Sequence, residues 1–211
     1  MQPDSNLAPA AVEKHHLGER GRAVIGILIL APFVLLGALH APWGATQPWL
    51  KIALDTAGWL CFFAGAGLRF WATLYIGGHK GKSLVDDGPY SVTRNPLYLG
   101  IFFLVLSIAF FLGSPLITVG VLFSTFVYLR VVIASEERRL LVRWGAVYQA
   151  YCDRVPRFWP RWQHFHAGSS VEVDLRTLKF EVFRALRWGL IPIACELVRL
   201  LEAQPGWPHL W

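Results

Sequence analysis

Apolar residues gather into blocks along the chain, and charged residues are confined between them. Ala23 to Leu39 forms the first block and ends at the turn-like His40-Ala41-Pro42-Trp43-Gly44. The second runs from Trp49 to about Ile76, the third from Leu97 to Leu112, and the fourth from Pro115 to about Ala134. A helix needs about 20 apolar residues to cross a bilayer. The pattern therefore predicts an all-α fold, a multi-pass transmembrane helical bundle of about four spans. Pro32 predicts a kink in the first span. Gly113-Ser114-Pro115 allows only a tight turn, so the third and fourth spans form an antiparallel hairpin. In the second block Ala57, Cys61 and Gly65 recur every four positions, a spacing that lets another helix approach closely. Asp55 and Arg69 lie near its two ends. Either they snorkel toward headgroups or they face a polar interior, and both readings stand.

The end of the chain has a different pattern. Gln163 to Asp174 reads as a polar linker. Leu178, Val182, Leu186, Leu190, Ile193, Leu197 and Leu201 then recur three or four residues apart, among Arg176, Lys179, Arg184, Arg187 and Arg199. This is the pattern of a basic amphipathic helix lying on the membrane surface. The uncharged run from Trp188 to Ala194 is short for a fifth full span, which stays the alternative. The chain divides into a tail over 1–22, a membrane core over 23–162, and a linker with an amphipathic helix over 163–211. The polar tail is too long before its first apolar run to be a signal peptide. It reads as cytoplasmic.

Composition agrees with lipid as the solvent. Of the 211 residues, 55% are hydrophobic and 16% charged, against about 25% charged in soluble proteins. The length suits one domain. A net charge of +6 would point to nucleic acid in a soluble protein. Here the basic residues flank apolar blocks, so anionic headgroups are the partner and no nucleic acid is expected. Trp43, Trp49, Trp71, Trp144, Trp159 and Trp162 stand near block ends, where aromatic belts form. Lys14, Arg20 and Arg22 precede the first span, Lys80, Lys82 and Arg94 separate the second from the third, and Arg138, Arg139 and Arg143 follow the fourth. By the positive-inside rule both termini and the Gly77–Asn95 loop are cytoplasmic. Cys61, Cys152 and Cys195 have no paired spacing, so neither a disulfide framework nor a metal site is expected. The pattern does not address oligomeric state.

Two polar segments carry candidate chemistry. One runs from Gly77 to Tyr98, with turn residues at Gly88-Pro89-Tyr90. Its Asn95-Pro96 reads as a helix start, with Asn95 as N-cap and Pro96 at the first helical position. The other runs from Arg130 to Arg157 and contains Glu136-Glu137 near a helix C-terminus, where the macrodipole disfavours negative charge. Compensation comes from Arg130, Arg138 and Arg139 or from a cationic ligand. The bland alternatives are a simple helix start and a solvated exit from the membrane.

The run Ser83-Leu-Val-Asp-Asp-Gly-Pro-Tyr-Ser-Val-Thr-Arg-Asn-Pro-Leu-Tyr-Leu-Gly100 resembles the signature of the isoprenylcysteine carboxyl methyltransferase family, shared by related phospholipid N-methyltransferases. That signature is an apolar dipeptide, Gly-x-Tyr, then Arg-His-Pro-x-Tyr-x-Gly. A Glu pair, an apolar run, Trp-Gly, two spaced tyrosines and Arg-Val-Pro follow in both, so order and spacing agree from Leu84 to Pro156. The resemblance implies a cytoplasmic S-adenosylmethionine pocket lined by Lys82, Ser83, Leu84, Val85, Tyr90, Asn95, Pro96, Leu97, Tyr98 and Glu136. Glu136 takes the place of the family's cofactor-binding acid, and a carboxylate suits the cofactor's ammonium. Asn95 replaces the family His, which removes any titrating imidazole there. Val132 falls where the eukaryotic enzymes have a substrate-contacting Arg, with Arg130 close by. Arg130 is the candidate for orienting an anionic acceptor, and Glu137 or Asp87 for removing a proton from an amine. The implied function is methyl transfer to a hydrophobic, membrane-associated carboxylate, thiol or lipid amine. A nicotinamide-dependent membrane reductase with a similar helical core, or a non-catalytic protein that kept the fold, are the alternatives.

Overall fold

The computed structural model describes residues 31–33, 47–77, 83–168, 171, 173–202 and 204. Most of the expected first span, the 1–22 tail and Lys82 lie outside them. Within the described residues the protein is all-helical, with no strand. The helices are α1 (Pro48–Ile76), the single turn α2 (Pro89–Val92), α3 (Pro96–Leu112), α4 (Pro115–Arg154), α5 (Leu175–Trp188) and α6 (Leu190–Glu202), with a 3₁₀ turn at Trp162–His164. Helices α1 and α4 are long and apolar enough to cross a membrane, and α3 is a shorter apolar helix.

Pro48, Pro89, Pro96 and Pro115 each stand at the start of a helix, where the missing N–H is one that no helical partner would have satisfied. The expected hairpin forms between α3 and α4. Gly113 ends α3 in the left-handed conformation, and the Ser114 side chain accepts from the Ile117 N–H to cap α4. Helix α4 continues well past Ala134, but at Gly145 (φ 51°, ψ −126°) it breaks into segments 115–144 and 146–154. A side chain there would meet open space, so glycine is required by the backbone angle alone.

The most extensive helix contact joins α1 to α3. A Cβ on Gly65 would fall 2.7 Å from the Gly100 carbonyl oxygen, and one on Gly100 would meet the Arg69 side chain at 2.5 Å. The two backbones touch where only hydrogen fits, as the small-residue spacing predicts. Gly58, which faces the Phe111 ring, extends this seam. Phe33, in a helical stretch, lies against Gly120 and Phe123 of α4.

The question left open for Asp55 and Arg69 has one answer for both. Arg69 is buried and pairs with Glu181 of α5 through Nε (2.8 Å) and a second guanidinium nitrogen (3.1 Å). Asp55 lies 3.0 Å from Arg199 of α6. The single C-terminal helix expected from the stripe is two helices that meet at Gly189. Most of the stripe itself, Val182, Leu186, Leu190, Ile193, Leu197 and Leu201, is exposed. The packed face carries Glu181, Cys195 and Arg199 instead.

Candidate active site

The stretch from Tyr90 to Asn95 is laced to the segment that follows α4. The Tyr151 hydroxyl donates to the Tyr90 carbonyl (2.8 Å), the Arg94 N–H to the Pro156 carbonyl (2.9 Å), and the Arg161 N–H to the Val92 carbonyl (3.0 Å). Thr93 donates its hydroxyl to the Phe158 carbonyl at 3.2 Å. Tyr148, Tyr151 and Val155 close the joint with Leu84, Leu140 and Trp144 packed around them. The two polar segments of the sequence thus form one body.

A cavity of about 180 Å³ opens between them. Ser83, Leu84, Val85, Tyr90, Asn95, Pro96, Leu97, Tyr98 and Glu136 all line it, and so does Glu137. The Tyr98 hydroxyl donates to Glu136 at 2.5 Å. Tyr90 is buried and its hydroxyl has no hydrogen-bond partner among the described residues. Burial first, then the neighbouring Tyr151 and Glu136, raise its pKa above the ordinary phenol value, so it stays a donor at neutral pH. The Arg94 Nε is likewise buried and unpartnered.

Asn95 holds the N-cap position of α3 but makes no side-chain cap. Its amide nitrogen donates to the Arg157 carbonyl at 3.1 Å and reaches Glu137 at 3.5 Å. The side chain braces the cavity wall, and a donor rather than a capping acceptor is what that position uses. The Glu137 carboxylate is occupied: Arg157 binds it through Nε (3.2 Å) and through a terminal nitrogen, and Arg94 stands 3.6 Å away.

Arg130 lines a different cavity, of about 1060 Å³, between α1, α3 and α4. Leu68, Trp71, Phe102, Phe103, Leu122 and Phe126 make its wall apolar, and Arg157 joins Arg130 as its second cation. The Arg130 guanidinium lies 4.9 Å from the Phe126 ring centroid. Trp71 and Trp162 stack at its edge with nearly parallel rings 6.2 Å apart. Val132 is buried and reaches neither cavity.

The sequence profile of the phospholipid methyltransferase family matches residues 54–146. The chain is 31% identical over 162 residues to the nickel-cobalt-cadmium resistance protein NccN of Alcaligenes xylosoxydans xylosoxydans, covering 77% of this chain and 72% of that protein. It is 30% identical over 153 residues to the cobalt-zinc-cadmium resistance protein CzcN of Cupriavidus metallidurans, covering 72% and 69%. It is also 34% identical over 126 residues to methanethiol S-methyltransferase 2 of Bradyrhizobium diazoefficiens, covering 54% and 46%. The chain belongs to the phospholipid methyltransferase family. No solved structure matches it with significance.

As a member of the phospholipid methyltransferase family the chain is a membrane methyltransferase. Sequence reasoning overlooked Arg94, Tyr148, Tyr151 and Trp144 as lining residues of the smaller cavity. All four stand inside the motifs that carried the resemblance, so their position was itself the available signal. Arg157 was overlooked too. It directly follows the Arg-Val-Pro that closes the second motif, and no local pattern shows that it lines the larger cavity while holding Glu137 of the smaller one.

Proposed function

We propose that the chain transfers the methyl group of S-adenosylmethionine to a hydrophobic acceptor that reaches it through the bilayer. The observation that carries this reading is the buried, unpartnered Tyr90 hydroxyl in a cavity shared with the Glu136 carboxylate and the Arg94 guanidinium. A buried polar group without a partner costs free energy, and a bound ligand that accepts from Tyr90 removes that cost. An acid and a guanidinium on one wall match the ammonium and carboxylate of an amino-acid moiety. Leu84, Val85, Leu97 and Trp144 offer apolar surface for a nucleoside.

When bound, S-adenosylmethionine supplies a methyl group on a positively charged sulfur. The chain's own tasks are alignment and exclusion of water. Tyr98 fixes the Glu136 rotamer, and the Tyr90–Asn95 stretch, sewn to 155–161, holds the cavity in shape. The larger apolar cavity takes the acceptor, with Arg130 and Arg157 as the cations that turn an anionic end toward the methyl donor. Glu137 is bound by Arg157 and Arg94, so its role is bracing rather than proton removal. Acceptors that arrive as anions, a carboxylate or a thiolate, need no base. Because one relative is named a methanethiol S-methyltransferase, thiols are the first acceptors to try. The metal-resistance names of two relatives make metal-challenged cells the place to look for the acceptor.

Calorimetry of S-adenosylmethionine with detergent-purified protein tests the reading, with Glu136→Ala as control. Saturable binding that the variant loses supports it and leads to a labelled-methyl screen over thiols and lipid extracts. Equal binding by the variant removes Glu136 from the site, and no binding by either protein removes the cofactor.

A further inference from the structure

The C-terminal helices meet both ends of α1. Thr177, in the first turn of α5, lies against Gly77 just past the C-terminus of α1. Glu181 pairs with Arg69, each side chain only 7% exposed. At the other end Arg199 of α6 pairs with Asp55, and Lys51 stands 3.8 Å from Glu196. The same number of residues separates Gly77 from Asp55 as separates Thr177 from Arg199, about 33 Å of helix in either case. That is the thickness of a bilayer's hydrocarbon core, about 30 Å. A helix lying on the membrane surface could touch only one end of a helix that crosses it.

We propose that α5 and α6 form one broken membrane crossing, with α5 laid antiparallel on α1 and α6 packed against α3, whose apolar stripe is a lipid-facing surface. The surface-helix reading also turns the stripe toward lipid, and the two readings differ in what covers the opposite face. Val182, Leu186, Leu190, Ile193, Leu197 and Leu201 turn outward because lipid is their solvent. The ion pairs turn inward because a charge in hydrocarbon must be paired or reach water. Charge distribution agrees independently. Arg176, Lys179 and Arg184 lie toward the Gly77 end of α1, and Arg187 stands exposed near the midpoint with a side chain long enough to extend toward that end. No Lys or Arg occurs between Leu200 and Trp211, a bias in the direction expected of a crossing that leaves the basic side. The C-terminal end of α6 then lies on the membrane face opposite the smaller cavity. This inference rests on membrane insertion alone and is independent of the reaction catalysed.

Its test is side-specific labelling of the full chain in the inner membrane of a bacterial host. Cys61, Cys152 and Cys195 are replaced by Ala, and single reporters are introduced as Q204C, beyond α6, and D153C, on the cavity side. A membrane-impermeant maleimide applied to intact spheroplasts should label one reporter and spare the other, with the pattern reversed in inverted vesicles. Labelling of both from the same side overturns the proposal. In a second arm E181R sets two cations together and should drive Q204C to the D153C side in a large fraction of molecules. The exchange R69E/E181R should restore the parent pattern. If E181R labels like the parent, the ion pair does not hold the crossing and that part of the proposal falls.

Discussion

The Tyr98 hydroxyl donates to the Glu136 carboxylate at 2.5 Å, joining the first turn of α3 to the middle of α4 in the lining of the smaller cavity. One bond thereby fixes both the separation of two helices and the direction of a charge. Hydrogen bonds to charged groups contribute about 1.5–3 kcal/mol. Tyr98→Phe should therefore weaken S-adenosylmethionine binding by about tenfold or more, with folding retained. Calorimetry beside a thermal scan of the same sample separates the two effects. Unchanged affinity would mean that Glu136 holds its rotamer without help.

Arg157→Gln should lower the thermal midpoint in detergent. The change removes a two-pronged partner from Glu137, which is mostly buried, and breaking such a pair by deleting one member costs about 3–5 kcal/mol in fully buried cases. Partial exposure of Arg157 and the remaining Arg94 contact place this site below that range, at about 1–2 kcal/mol, or several degrees. A conservative Arg157→Lys should recover only part of the loss, because an ammonium cannot span both carboxylate oxygens.

Gly145→Ala tests the break in α4. The site has room for a methyl group, so any effect comes from the positive φ, at a cost of about 1–3 kcal/mol. The expected result is a lower thermal midpoint together with weaker cofactor binding, since Trp144 and Tyr148 on either side line the smaller cavity. A variant as stable as the parent would mean that the helix can run straight through.

Asp174 caps α5, accepting from the Arg176 N–H and the Thr177 hydroxyl, and these bonds, the backbone one first, hold its pKa below the usual carboxylate value. A depressed folded pKa means that the cap stabilises the protein above the ordinary carboxylate range, and that this contribution is lost as pH falls through the folded value. Asp174→Ala should thus be less stable than the parent near neutrality. Thermal scans from pH 7 downward should converge only in strong acid.

Features set by neighbouring residues were the legible ones. Gly113-Ser114-Pro115 encodes its turn locally, and the small residues around Gly65 announced a close helix approach without showing that α3 is the partner. Asn95-Pro96 marked a helix start, but the direction of the Asn95 amide was invisible because its partner is the Arg157 carbonyl, 62 residues away. The stripe from Leu178 to Leu201 told two faces apart. It could not tell which face met protein, because lipid inverts the rule that apolar residues point inward. Only the pairing of Glu181 with Arg69 and of Arg199 with Asp55 decides that.

Arg157 has a further consequence. Its backbone is held by Asn95, its guanidinium by Glu137 beside the smaller cavity, and the same side chain lines the larger one. An occupant of the larger chamber that draws this guanidinium toward itself loosens the brace on the other. Thermodynamic reciprocity then requires each occupant to alter the other's affinity by the same factor. If the proposed donor and acceptor fill the two chambers, this single arginine couples their loading, with no movement of the helices required.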